Sequence, residues 1–219
     1  ITIILSLINT LDVPGLCSFQ QEGSSHVIVP GTVTAIVIGG SCGRQVVRIS
    51  MPNVTVVYAP SRLNGPWLPF CTSLKSVYMP AATTIGDHAF FGCSSLTSVS
   101  MPAAITINSR AFSSCYSLTA VYMPAATTIG SSAFSSCSSL KSVSIPAATT
   151  IGSYAFSSCS SLTSVSMRNV TSAGVQVFHG CSDLHPDNVI ASSALAITSE
   201  TWARYNCEGA TTYTAPMSE

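Results

Sequence analysis

Cys71, Cys93, Cys115, Cys137, Cys159 and Cys181 stand 22 residues apart, and this period limits what the chain can fold into more than any other feature. The surroundings of each cysteine return with it. Leu74, Leu96, Leu118, Leu140, Leu162 and Leu184 follow three residues on, and Val77, Val99, Val121, Val143 and Val165 three after that. Met79, Met101, Met123, Ile145 and Met167 come next, with Pro80, Pro102, Pro124 and Pro146 behind the first four. Ile85, Ile107, Ile129 and Ile151 and then Phe90, Phe112, Phe134, Phe156 and Phe178 complete the frame. So many returns at one spacing exclude coincidence, and a fixed period of this length marks a solenoid or a related array.

Each unit has a physical reading. The stretch "SVSM" alternates polar and apolar residues, the period of a half-buried strand, so Val and Met point inward while Ser76, Tyr78 and their equivalents point outward. Proline then ends the strand because it has no N–H to offer a ladder. Further on, Ala89, Cys93 and Leu96 fall at i, i+4 and i+7 with Phe90 on the same side, which predicts a short helical turn with an apolar stripe. Asp87, Ser109, Ser131 and Ser153 stand where such a turn wants an N-cap.

One unit buries too little to offset the entropy of ordering it, so units must stack in register, each strand bonded to the next in a parallel sheet around one continuous core. The expected fold is thus a repeat solenoid of α/β type, with a parallel β-sheet on one face, short helical turns on the other and capping segments at both ends. Upstream the pattern weakens. Met51–Pro52 and Val29–Pro30 are 22 residues apart and read as strand ends of two degenerate coils, with Val46 and Ile49 in the Leu and Val positions. Met51 to Cys71 takes 20 steps where Met79 to Cys93 takes 14, so six extra residues make a loop in "YAPSRLNGPW". The expected divisions are an N-terminal cap over 1–28, degenerate coils with the inserted loop over 29–70, regular repeats over 71–184 and a C-terminal cap over 185–219. Ala194 to Tyr205 suits a capping helix with Trp202 and Tyr205 on one side. At the other end, Ile1 to Ile8 reads either as a β-branched terminal strand or as the tail of a removed secretion signal.

Composition removes several classes of function. Charged residues make up only 7% of the 219, and eight basic residues are matched by eight acidic ones. No basic stripe awaits phosphates or anionic lipid, so nucleic acid is not an expected partner. No apolar run approaches the roughly 20 residues that span a bilayer, so no membrane-spanning segment is expected. Solubility falls to the Ser and Thr hydroxyls.

The unit "IGSYAFSSCSSLTSVSM", continued by the proline that ends the other units, resembles the BspA-like leucine-rich repeat, with its I-G-x-x-A-F-x-x-C-x-x-L-x-x-V-x-I-P frame. The likeness is strong from Cys71 to Leu184 and faint from Val29 to Phe70. It departs from the commonest leucine-rich consensus at Ala82, Ala104, Ala126 and Ala148, which replace a buried Asn or Cys. The resemblance implies secreted or surface-anchored proteins of host-associated bacteria and some parasitic protists, used as adhesins and in protein–protein contact. It brings no catalytic residues with it.

The chemistry of the side chains agrees. A zinc site needs about four ligands converging on one point, whereas the ladder sets identical thiols in a line, and parallel Cβ vectors disfavour disulfides between neighbouring coils. The six ladder cysteines therefore read as small hydrophobes. Cys17 and Cys42 can cross-link the N-terminal cap in an oxidising compartment, and Cys207 has no evident partner. "HGCSDLHPD" places His179, Cys181, Asp183, His185 and Asp187 at alternate positions, but the register turns Cys181 inward and away from the rest. No G-x-S-x-G is present. Neither an enzyme nor a cofactor or metal is expected. Asn53-Val54-Thr55 and Asn169-Val170-Thr171 fit the N-glycosylation acceptor pattern.

Function then belongs to surfaces. Tyr78, Ser100, Tyr122, Ser144 and Ser166 share one outward row, and hydroxyls with interspersed tyrosines suit protein or glycan recognition. Of these, Tyr78, Ser100, Tyr122 and Ser144 are the candidate ligand-binding residues, together with Arg62 and Trp67 of the inserted loop. The expected role is an extracellular binding or adhesion module, secreted or at the cell surface, recognising a protein or glycan on host or neighbouring cells. The alternatives are a structural spacer or self-assembling surface protein without a specific ligand, and a contact of the Ser/Thr arrays with ice or another extended repetitive surface.

Overall fold

In the computed structural model of the chain, described for residues 2–6, 26–28, 35–39, 48–50, 52–58 and 71–193, the 22-residue unit is one coil of a parallel β-solenoid. Side chains are described for 48–50, 52–57 and 71–193. The wide strands are those expected from "SVSM": β2 (His26–Ile28), β4 (Arg48–Ser50), β6 (Ser76–Tyr78) and β8 (Ser98–Ser100) form one parallel sheet. The series continues as β10 (Ala120–Tyr122), β12 (Ser142–Ser144), β14 (Ser164–Met167) and β16 (Val189–Ala191) in a second. The register follows the repeat, with Ile49 opposite Val77 and Val77 opposite Val99, then Val121 opposite Val143 and Val143 opposite Val165. The ladder is interrupted between β8 and β10, where Val99 is half-buried although Val77, Val121, Val143 and Val165 are buried.

A third sheet, which the sequence pattern does not predict, runs down another side of the stack. It is built of β1 (Thr2–Ser6), β3 (Ala35–Gly39), β5 (Val56–Tyr58), β7 (Thr84–Ile85), β9 (Thr106–Ile107), β11 (Thr128–Ile129), β13 (Thr150–Ile151) and β15 (Ser172–Ala173). Thr84, Thr106, Thr128 and Thr150 line up in register, as do Ile85, Ile107, Ile129 and Ile151, whose side chains are buried. Val56 pairs with Thr84, 28 residues on, which is one period plus the six-residue insertion. At the N-terminal edge Thr2–Ser6 is a strand.

The short helical turns expected on the far side are not helical. From 71 to 184 no described residue is helical, and a 3-10 turn stands at Pro186–Asn188. The cause lies in the backbone: His88, Arg110, Ser132, Tyr154 and Gln176 have φ between 53° and 59°, in the left-handed region that ends a right-handed helix. Four residues on, Gly92, Ser114, Ser136, Ser158 and Gly180 are left-handed again. Alternate N–H groups then serve different partners. Ala89, Phe91 and Cys93 donate to the carbonyls of Gly86, His88 and Phe90 as successive tight turns, whereas His88, Phe90 and Gly92 donate to Ser109, Ala111 and Ser113 of the next coil. The i, i+4, i+7 stripe is thus a chain of turns laddered to its neighbour. Asp87 caps no helix either: its Oδ1 accepts the Ser109 N–H of the following coil at 2.9 Å.

Apart from half-buried Val99, the recurrent Cys, Leu, Val, Met, Ile and Phe positions of the regular coils are buried. The phenylalanines stack in a column, with ring centroids 5.1, 5.3, 5.5 and 5.9 Å apart from Phe90 through Phe112, Phe134 and Phe156 to Phe178. Such separations are favourable for offset aromatic pairs. Just past the two-residue strands the coils approach closely: a Cβ on Gly152 would meet the Ser131 nitrogen at 2.4 Å. The hydroxyls expected to confer solubility also join coils, since Thr83, Thr97 and Thr163 donate to the carbonyls of Thr55, Lys75 and Lys141 at 3.0–3.1 Å.

Candidate binding face

The cysteine ladder is the first place to look for chemistry, and its geometry is that of packing. Cys93, Cys115, Cys137, Cys159 and Cys181 are buried thiols, not joined in disulfides. The Sγ atoms of Cys115, Cys137, Cys159 and Cys181 donate to the carbonyls of Phe90, Phe112, Phe134 and Phe156 in the preceding coil, at 3.1–3.3 Å. The cysteine is therefore more than the small hydrophobe expected, because it supplies a weak donor to a buried carbonyl. Burial pushes the Cys93 thiol up to about 12 and raises Cys115 well above its ordinary value. Cys159 and Cys181 are raised too, first by hydrogen-bonding contact with Cys137 and Cys159 respectively and then by burial. Such thiols stay protonated and are poor nucleophiles. Cys71 departs from the expectation: it is disulfide-bonded, with its partner outside the described residues.

"HGCSDLHPD" does not converge. Cys181 is buried and His179 half-buried, whereas Asp183, His185 and Asp187 are exposed, and the His185 Nδ1 lies 3.2 Å from the Asp187 carboxylate. Among the described residues no three His, Cys, Asp or Glu side chains gather as metal ligands do. Of the two acceptor patterns, Asn53 and Asn169 are both exposed, and the Asn169 Nδ2 donates to the Pro146 carbonyl at 2.8 Å.

The outward row of the wide sheet is where side chains project. Tyr78 is 50% exposed and Tyr122 66%, Ser100 is exposed and Ser144 half-buried. Tyr78 pairs with Ser100 across β6 and β8, and Tyr122 with Ser144 across β10 and β12. The ladder interruption falls between these two pairs, so the tyrosines stand on separate sheets, two coils and about 10 Å apart. Between them and the start of each strand runs a second outward row of small residues, Ser76, Ser98, Ala120, Ser142 and Ser164. Arg62 and Trp67, the other two candidates, lie outside the described residues.

Four of the cations lie along the wide sheet. Lys75 and Lys141 hold the same position in their coils, just before β6 and β12, and both are exposed. Arg48 lies on β4 opposite Ser76, and Arg168 directly follows β14. The signal was available, because Lys75 and Lys141 are separated by 66 residues, three whole periods. Two other exposed aromatics were also passed over: Tyr116, on the turn leading to β10, and Tyr154, at a left-handed position.

A family model described as BspA type leucine rich repeat region matches residues 69–185 in six copies. No curated protein matches the chain. Among solved structures, a leucine rich cell surface protein from Faecalibacterium prausnitzii A2-165 is 26% identical, with a TM-score of 0.59 over 78% of this chain and 48% of that one. The present chain thus spans about half the length of that neighbour. A Bacteroides ovatus ATCC 8483 leucine-rich repeat protein is 22% identical over 84% of this chain and 62% of its own, with a TM-score of 0.38. The family match and the likeness to the F. prausnitzii protein suggest a binding or a structural role. No helix among the described residues is long and apolar enough to cross a membrane.

Proposed function

From the premise that the chain belongs to the BspA-type leucine-rich-repeat family, we propose that it is an extracellular binding module whose wide sheet face recognises a macromolecule at a cell surface. The observation that carries this reading is the exposure of Tyr78 and Tyr122 in a row that the repeat otherwise fills with serine. A buried or merely solvating row has no use for two projecting aromatic rings, whereas a recognition surface gains contact area from them at low entropic cost. A rigid stack is suited to holding them in place, since the side chains beneath are fully packed.

Placement outside the cytoplasm draws support from two further observations. The structural neighbour from F. prausnitzii is a cell surface protein, and the disulfide at Cys71 belongs to an oxidising compartment. Arrayed extracellular-matrix proteins and glycans, probed with the purified chain and with the Y78S/Y122S variant, test the proposal. Retention of a ligand by the native chain and its loss in the variant are expected; a ligand held equally by both moves function off this face.

A further inference from the structure

The rows of the wide face differ in chemistry. At the start of the strands the row runs Lys75, Thr97, Thr119, Lys141 and Thr163, so its two lysines stand three coils and about 14 Å apart, while Arg48, one coil before, is in register with Ser76. Three residues further on runs the parallel row Tyr78, Ser100, Tyr122, Ser144 and Ser166, so Tyr78 shares its coil with Lys75 whereas Lys141 shares its coil with Ser144. Between them lie only Ser76, Ser98, Ala120, Ser142 and Ser164, a low floor with a repeat of about 4.8 Å. Among the described residues from β4 to β14, no carboxylate occupies this face; Asp87 lies past the narrow sheet, bonded to Ser109. Asp183 and Asp187 stand near its C-terminal end, where Arg168 is the nearest cation in sequence.

We infer that this face is a track for a linear anionic polysaccharide laid along the stacking axis, an inference that rests on the binding role proposed above. Its occupant must be acidic, because the cations face outward with no carboxylate among them. It must also be long, because the matching residues recur along the stack and not along a strand. A peptide cannot join the sheet by strand addition here, since the face offers side chains and the backbone groups are turned toward neighbouring strands. A pyranose ring is about as long as one coil is thick, so successive sugars meet successive serines. The apolar faces of two rings, two coils apart, then reach Tyr78 and Tyr122, and carboxylates reach Lys75 and Lys141. Salt must weaken such binding, because solvent-exposed ion pairs are screened by mobile ions.

Polygalacturonate, hyaluronate, fully methyl-esterified polygalacturonate and poly-L-glutamate serve as probes, titrated against the native chain at low and at physiological salt. The inference expects binding of the two acidic polysaccharides, release by salt, and at least tenfold weaker binding of the esterified polymer. K75Q/K141Q and Y78S/Y122S are each expected to lose about tenfold in affinity for polygalacturonate at unchanged melting temperature. Equal binding of the esterified polymer, or no binding of either acidic polysaccharide, overturns it, and preference for poly-L-glutamate assigns the face to an acidic protein instead. A neutral ligand that depends on Tyr78 and Tyr122 but not on Lys75 and Lys141 also overturns it while leaving the binding role intact. A ligand indifferent both to Tyr78 and Tyr122 and to Lys75 and Lys141 removes the binding role from this face altogether.

Discussion

Val143 and Ser144 are adjacent in one strand, yet they obey different rules. The inward position is valine in every coil from Val77 to Val165, whereas the outward one runs Tyr78, Ser100, Tyr122, Ser144, Ser166. The difference is one of neighbours. An inward side chain packs against its own copies in the coils above and below, so changing one leaves a void or a clash on both sides. An outward side chain meets water on one side and is free to differ. In a stacked repeat, constancy therefore marks the interior and variation marks the surface open to recognition.

The sharpest way to break this contrast is to alter the interior column. Phe134 lies between Phe112 and Phe156 with ring centroids at 5.3 and 5.5 Å, so F134A removes two stacking partners at once. It is expected to destabilise by about 3–5 kcal/mol, read from the denaturation midpoint. Next comes G152A, whose new Cβ meets backbone atoms at 2.4–2.8 Å that no side-chain rotation can move aside. A loss of about 1–3 kcal/mol is expected. Asn108 holds the equivalent position in one coil, so N108G is the companion variant and should not destabilise comparably.

Alkaline pH tests the same interior without mutation. Burial raises Cys93 from its ordinary value of 9.0 to about 12. The folded chain thus holds the thiol proton more tightly than the unfolded one. The stabilisation this linkage brings is complete below pH 9 and is lost progressively as pH rises toward about 12, so denaturant midpoints measured across that window should fall. At the small end stands the outer row. Y78S/Y122S removes two exposed rings and should shift stability by no more than about 0.5 kcal/mol per site, even where it abolishes binding.

These contrasts also explain what could be read from the sequence. The period, the wide strands and the buried Leu, Val, Phe and Cys columns were legible because each repeats against an unchanging neighbour. The narrow sheet was not, since Thr84–Ile85 and its equivalents are two residues long, too short for an alternation to show. The helix expected around Ala89 and Cys93 failed for a subtler reason: a run of tight turns can bury the same i, i+4, i+7 stripe. Nothing in the identities of His88, Arg110 or Ser132 announces a left-handed backbone. Cys71 shares the ladder's spacing but carries a disulfide, a distinction that spacing cannot convey. Of the candidate site, the tyrosine row was legible from alternation alone, while Lys75 and Lys141 were hidden by counting charges along the chain instead of by coil.

The claim beneath all of this is that the recurrent residues form a closed interior, and thiol accessibility measures it most directly. Mass-resolved alkylation of the native chain, then of the unfolded chain, should find Cys93, Cys115, Cys137, Cys159 and Cys181 unmodified in the first case and all modified in the second. Rapid native modification of these five would contradict a solenoid closed around its cysteine column.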